Sequence, residues 1–328
     1  MAEPGRYPGG ARFAFTIFDD TDDATQENVG PVYALLRDLG MRATKTIWPM
    51  ACPEGSELYF AGHTLQDTGY ERFVRGLAEA GFELAFHCAT MESSTRERVV
   101  AGLERFRQLA GRWPRAHANH GHNRENLYWG VDRVDFPPVR LFYALTNGHP
   151  RDWFQGHVDG SPYWWGDLCQ ERIEYVRNLT YDEINLLRIN PTLPYRDLRR
   201  PLAPWWFSAT DVEDSAAFNA VITEGAQDRL EAEGGVCIVA THLGKRYAKD
   251  GKVHPRTEAL LRRLAAKHGW FPTVSELLDW LRTSRSDQAT LPPGEWRRMQ
   301  LRWAWDLVWR RLRPPPPVEW PATSGAVT

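Results

Sequence analysis

The side chains with the most chemistry in this sequence are acids and histidines that fall directly after apolar runs. Phe13-Ala14-Phe15-Thr16-Ile17-Phe18 passes without a turn residue into Asp19-Asp20-Thr21-Asp22-Asp23. Phe82-Glu83-Leu84-Ala85-Phe86 stops on His87, residues 115–119 lead into His120-Gly121-His122-Asn123, and Val236-Cys237-Ile238-Val239-Ala240 leads to Thr241-His242. Carboxylates and imidazoles move protons and bind divalent ions. Gathered in one place, they could activate a water, polarise a carbonyl and protonate a leaving group. Acids also simply end strands and cap the following helix, and a histidine can be a hydrogen-bonded core residue. What decides between these readings is where the surrounding elements carry the side chains.

The apolar runs are rich in aromatic and β-branched residues, which marks buried strands. Between them, helical spacing covers residues 28–40, 70–81 and 95–110, with Val32, Leu35, Leu36 and Leu39 on one side of the first. Strand and helix therefore alternate, as in parallel βα units, and residues just after parallel strands share one face. Residues 132–202 lose that rhythm, with short strand-like pieces at 173–177 and 185–190, and are expected to form a long insertion over the barrel mouth. Regularity returns with a strand into Asp211, a helix over 215–233, the strand before His242, a helix over 255–268 and a short helix over 274–282. The expected architecture is α/β: a barrel over residues 1–285 and a separate tail over 286–328. The tail holds a helix over 295–313, where Trp296, Trp303, Trp305 and Trp309 interleave with arginines.

With 328 residues, 42% hydrophobic and 25% charged, the composition is that of a globular protein. A net charge of -2 sets up no field that would draw nucleic acid. Residues 1–10 lack a basic start followed by an apolar run, and no stretch reaches the roughly 18 apolar residues of a membrane span. The four cysteines follow no metal or redox spacing, so a cytoplasmic protein is expected. Fifteen tryptophans are many for this length, and the pairs Trp164-Trp165 and Trp205-Trp206 suit either core or a platform for sugar rings. The tail helix suits packing on the barrel or peripheral contact with a membrane.

Taken in order, Phe18-Asp19-Asp20, Phe86-His87 and Ala240-Thr241-His242-Leu243 resemble the motifs of the polysaccharide deacetylase family, also called NodB-like. The resemblance spans residues 11 to 283 and implies a distorted (β/α) barrel of about seven strands. It implies Asp19 as general base, Asp20 and His87 as metal ligands, and His242 as the acid. The family's His-x-x-x-His motif runs here from His87 to Met91, and residues 115–123 stand where its Arg/Pro motif would be. A thioether is a poor ligand for such ions, so His120 is expected to supply the third ligand. His122, Asn123, Trp205, Trp206 and Asp211 are the expected substrate contacts. The implied cofactor is a divalent metal, zinc or else nickel or cobalt. The implied reaction removes an N-acetyl group from a carbohydrate or glycan precursor. Two other readings stay open: glycoside hydrolysis with Asp211 as the second acid, and a non-catalytic barrel that binds glycan.

Overall fold

Strand β1 (Phe13–Asp19) is buried along its whole length, as an unbroken apolar run with no polar face requires. It pairs in parallel with β2 (Thr44–Ile47) and with β7 (Val236–Thr241). From β2 the ladder continues through β3 (Glu83–Phe86), β4 (Ala116–His117), β5 (Tyr175–Tyr181) and β6 (Trp205–Asp211) to β7. Seven parallel strands thus close into an α/β barrel. A hairpin, β8 (Ala248–Lys249) with β9 (Lys252–Val253), follows β7, and β10 (Gly269–Trp270) pairs with the start of β1. The computed structural model describes residues 6–53, 56, 61–146, 148–284, 290–313 and 320.

Side chains alternate across β1. Phe13, Phe15 and Ile17 pack in one cluster with Val29, Val32 and Leu36 of α1 (Gln26–Asp38). Ala14 and Phe18 pack in the other cluster, with Phe207 of β6 and Ile238 of β7. Odd positions therefore face the helical shell and even positions face the barrel interior, a parity that governs the acids that follow.

Helices α2 (Thr68–Glu79) and α3 (Arg96–Ala110) cover the next two crossovers within two residues of the expected ranges. The helix expected over 215–233 is instead two, α6 (Ser215–Val221) and α7 (Glu224–Ala232). Thr223 separates them because its side chain accepts the Ala226 amide, satisfying an orphan donor at a new helix start. Residues 132–202 are not wholly an excursion. They contain α4 (Pro137–Thr146), α5 (Gly166–Arg172) and the barrel strand β5, while the strand expected at 185–190 is a 3-10 turn, Leu186–Arg188. Helices α8 (Pro255–Ala265) and α9 (Val274–Ser284) complete the shell.

Helix α10 (Pro293–Leu312) lies against β5 and α4. Trp296 and Trp303 are buried in the same cluster as the barrel interior. Gln300 Oε1 accepts the backbone amides of Asp135 and Phe136, both at 2.8 Å. Trp305 and Trp309 are stacked on each other and remain 61% and 38% exposed, so only half of the tail's tryptophan set packs on the barrel. Of the expected tail, residues 286–289, 314–319 and 321–328 lie outside the described residues. Among the described residues, no helix is long and apolar enough to cross a membrane.

Candidate active site

The parity of β1 separates the two acids at its end. Asp19 takes an odd position and faces α1, where Tyr33 donates to its Oδ2 at 2.9 Å and Lys45 of β2 sits 3.0 Å away. The Leu243 amide donates to its Oδ1 at 2.8 Å, and both Asp19 and Lys45 are fully buried. Burial pushes the Asp19 carboxyl up, and the Lys45 ammonium pulls against that. Asp19 lies outside the shared cavity, contrary to the expectation that it acts as base, because alternation turns it outward.

Asp20 takes the next position and faces the cavity. Arg177 of β5 grips it with both arms of the guanidinium, Nη1 to Oδ1 at 2.9 Å. Burial raises the Asp20 carboxyl, but the Arg177 charge and then His87 and His242 more than reverse that, holding it below its ordinary value. Asp22, two residues on, reaches the same interior. A tight turn brings it there, with Ala24 donating to the Thr21 carbonyl and Asp23 at φ 57°. Gly244 lies so close over this turn that a Cβ would meet the Asp23 carbonyl oxygen at 2.6 Å.

Asp22, not Asp20, gathers the histidines. Its Oδ1 is 3.2 Å from His87 Nε2 and 3.5 Å from His120 Nε2, and its Oδ2 is 3.4 Å from His242 Nε2. Ligand atoms of Asp22, His87 and His120 all lie within 4.8 Å of one another. The far nitrogens of both histidines are tied back: His87 Nδ1 donates to the Ala118 carbonyl and His120 Nδ1 to Asn123 Oδ1, each at 3.0 Å. That fixes the tautomer and aims both Nε2 atoms at the carboxylate, the usual support behind metal-binding imidazoles. Burial lowers His120 to about 4, which keeps its ring neutral. Asp22 Oδ1 and His87 Nε2 are buried and make no hydrogen bond of normal geometry among the described residues. Two imidazoles and one carboxylate converging this closely suit a divalent cation of the zinc type.

His242 follows β7, and its Nδ1 donates to the Glu213 carbonyl at 2.8 Å. Burial would lower its pKa, but Asp22, Asp20 and Glu213 together push it up to about 9. Asp20, Asp22, His87 and His242 open on a cavity of about 310 Å³. Its wall includes Trp129, Arg133, Tyr143, Asn178 and Asp211, with Trp303, Leu307 and Arg310 supplied by α10.

Of the remaining expected contacts, Asp211 lines the cavity and the others fall elsewhere. Trp206 is buried, its Nε1 donating to the Arg200 carbonyl, and Trp205 lies beside Arg196 and Arg282. Both stand at the start of β6, whereas the cavity lies at the strand's other end, marked by Asp211. Asp211 lines the cavity but is held by Thr180 Oγ1 at 2.6 Å and by Arg310. Asn123 is buried and orients His120 rather than facing the cavity, with its Nδ2 on the Thr90 and Glu92 carbonyls and Glu125. His122 is exposed and pairs with His149 at 2.9 Å. Met91 borders a different hollow, with Cys52 and Gly62. Arg177 and Arg133 went unnoticed in the sequence, since a lone arginine in an irregular stretch carries no local signal. Asp22 was within reach, because alternation from Phe18 already points every second residue inward.

Behind His120, Glu125 is buried and accepts the Ser94 amide and Asn123 Nδ2, both at 2.9 Å. Burial pushes its carboxyl up to about 7. The folded protein therefore binds this proton more tightly than the unfolded chain, whose glutamate titrates near about 4.3. Stability from this group is full below about 4.3 and is lost as pH rises to about 7, by roughly 4 kcal/mol for a shift of that size. Glu125→Gln, which keeps one acceptor oxygen, is expected to flatten that loss. Unfolding free energies of both proteins between pH 5 and pH 8 check it: parallel curves would show that Glu125 is ionised throughout.

No family model and no curated protein matches the sequence. Solved structures do overlay on it. A candidate polysaccharide deacetylase from Mycobacterium smegmatis shares 14% identity with a TM-score of 0.48, covering 88% of this chain and 96% of the other. A GH57-type branching enzyme from Pyrococcus horikoshii gives 11% and 0.46, covering 86% and 72%. The peptidoglycan deacetylase PdaC from Bacillus subtilis gives 11% and 0.42, covering 83% and 93%. Overlays at these scores decide neither family nor chemistry, so function has to be read from the site.

Proposed function

We propose that this chain is a metal-dependent hydrolase that removes an N-acyl group from a carbohydrate. The observation that carries the reading is the convergence of Asp22, His87 and His120 beside a separately held carboxylate, Asp20, and a raised histidine, His242. Asp22, His87 and His120 would hold the ion. When bound there, a divalent ion lowers the pKa of a water and acts as Lewis acid toward an acyl oxygen. Asp20 is ionised and accepts the water's proton. Arg177 fixes that carboxylate in one orientation through its two-armed grip, so no reorganisation accompanies the proton transfer. His242 presents Nε2 to the cavity and would deliver a proton to the departing amine nitrogen, while the Glu213 carbonyl fixes the ring through Nδ1. Relative to the expectation from sequence, Asp20 takes the base role from Asp19 and Asp22 takes the ligand role from Asp20.

The NodB-like motif order noted in the sequence supports deacetylation of a sugar over other amide hydrolyses. Aromatic rings of Trp129, Tyr143 and Trp303 in the cavity wall suit the apolar face of a sugar. Glycoside hydrolysis is less favoured, because its second acid, Asp211, is occupied by Arg310 and Thr180. Acetate release from N-acetylated mono- and oligosaccharides, measured with zinc, nickel or cobalt added and again after chelation, tests the reading. Release that depends on the ion supports it. No release from any N-acylated sugar with any of the three ions would overturn it in favour of a binding barrel.

A further inference from the structure

Charge pairing around the cavity leaves one cation over. Four Arg and Lys side chains line it: Arg133, Arg177, Lys245 and Arg310. Arg177 pairs with Asp20, Lys245 with Glu213, and Arg310 with Asp211 and Asp182. Arg133 makes no ion pair among the described residues, although it is only 6% exposed. Its Nε donates to Asn178 Oδ1 at 3.4 Å and its Nη2 to the Asn178 carbonyl. The guanidinium lies 3.7 Å over the Trp129 ring and 5.1 Å from that of Trp303. Burial, with the Arg177 charge adding to it, brings its pKa down to about 10 against the opposing pull of Asp211, so it stays charged at neutral pH. A buried charge is costly unless it is paired, and an arginine fork matches carboxylate and phosphate oxygens. The Trp129 and Trp303 rings and Asn178 hold the guanidinium in place in the cavity wall.

We propose that Arg133 binds an anionic group on the substrate, a carboxylate or a phosphate, so that the site selects acidic sugars over neutral ones. This rests on the reading of the cavity as a substrate site for an N-acylated sugar. Trp129 and Trp303 would flank the charged substituent, while the acyl group reaches Asp20 and His242 on the facing wall.

The test is titration calorimetry on the full, metal-loaded chain with three probes: N-acetylglucosamine, its 6-phosphate, and N-acetylmuramic acid. The first is neutral, the second offers a phosphate and the third a carboxylate, so the preferred probe identifies the anion. Wild type is expected to bind one of the acidic sugars about ten- to hundredfold tighter than the neutral one. Arg133→Gln is expected to abolish that preference with metal content unchanged, and Arg133→Lys, which keeps the charge without the fork, to retain part of it. Wild type that binds all three alike, or none, overturns the proposal, and this arm needs no variant to fold. An unchanged preference in Arg133→Gln overturns it as well. If the preference depends on Arg133 but no acetate is released, the anion site stands and the hydrolase reading fails.

Discussion

Asp20→Asn is expected to keep its metal and lose its turnover. The carboxylate faces the cavity and is gripped by Arg177, but it is not one of the three residues whose ligand atoms converge. An asparagine there still offers Arg177 one acceptor oxygen, so the proton acceptor is removed at some cost in stability, because Arg177 loses its buried counter-charge. Removing a general base typically slows a reaction about a hundred- to ten-thousandfold. Acetate release together with metal counted per chain checks the expectation. Full activity would remove Asp20 from the base role, and loss of the ion would make it a ligand, as the sequence motif first suggested.

The neighbouring acid is expected to fail differently. Asp19→Asn takes the counter-charge from Lys45, which is fully buried and sits 3.0 Å from the Asp19 carboxylate. Breaking one side of a buried ion pair costs about 3–5 kcal/mol, because the remaining charge is left without compensation. Tyr33 and the Leu243 amide also lose an ionised acceptor. Denaturant unfolding reads the loss directly. A variant as stable as wild type but inactive would return Asp19 to the catalytic role. Two adjacent acids thus point opposite ways, one tying the first β-strand to its helix and the other facing the cavity.

Much of the barrel was legible because each strand carries its own signal. β1 and β7 are unbroken apolar runs, and α1 to α3 show their apolar stripe at helical spacing. β5 was harder, since Tyr175–Tyr181 mixes polar and apolar residues without a regular period inside a stretch rich in proline and tryptophan. The break at Thr223 was missed because helical periodicity continues across it, while the cap depends on one hydroxyl. Positions after strands located His87, His120 and His242 near one another, since a closed parallel barrel presents all its strand ends on one face. Which acid joins them depended on strand parity and on the turn that carries Asp22 inward. Apart from Asp211, most of the cavity wall was beyond reach from sequence: α10 brings Arg310 to Asp211 and Trp303 into the same wall from about a hundred residues away, and no local pattern announces such contacts.

The most direct test of the account counts divalent metal in purified wild type and in Asp22→Ala. Catalytic sites of this kind keep three protein ligands and one open position, so wild type is expected to hold about one ion per chain after incubation with zinc, nickel or cobalt. Asp22→Ala is expected to hold almost none, because two imidazoles without their carboxylate bind such ions weakly. A wild type that takes up no ion at saturating concentrations of all three, or an Asp22→Ala variant that keeps its full complement, would contradict the site described here.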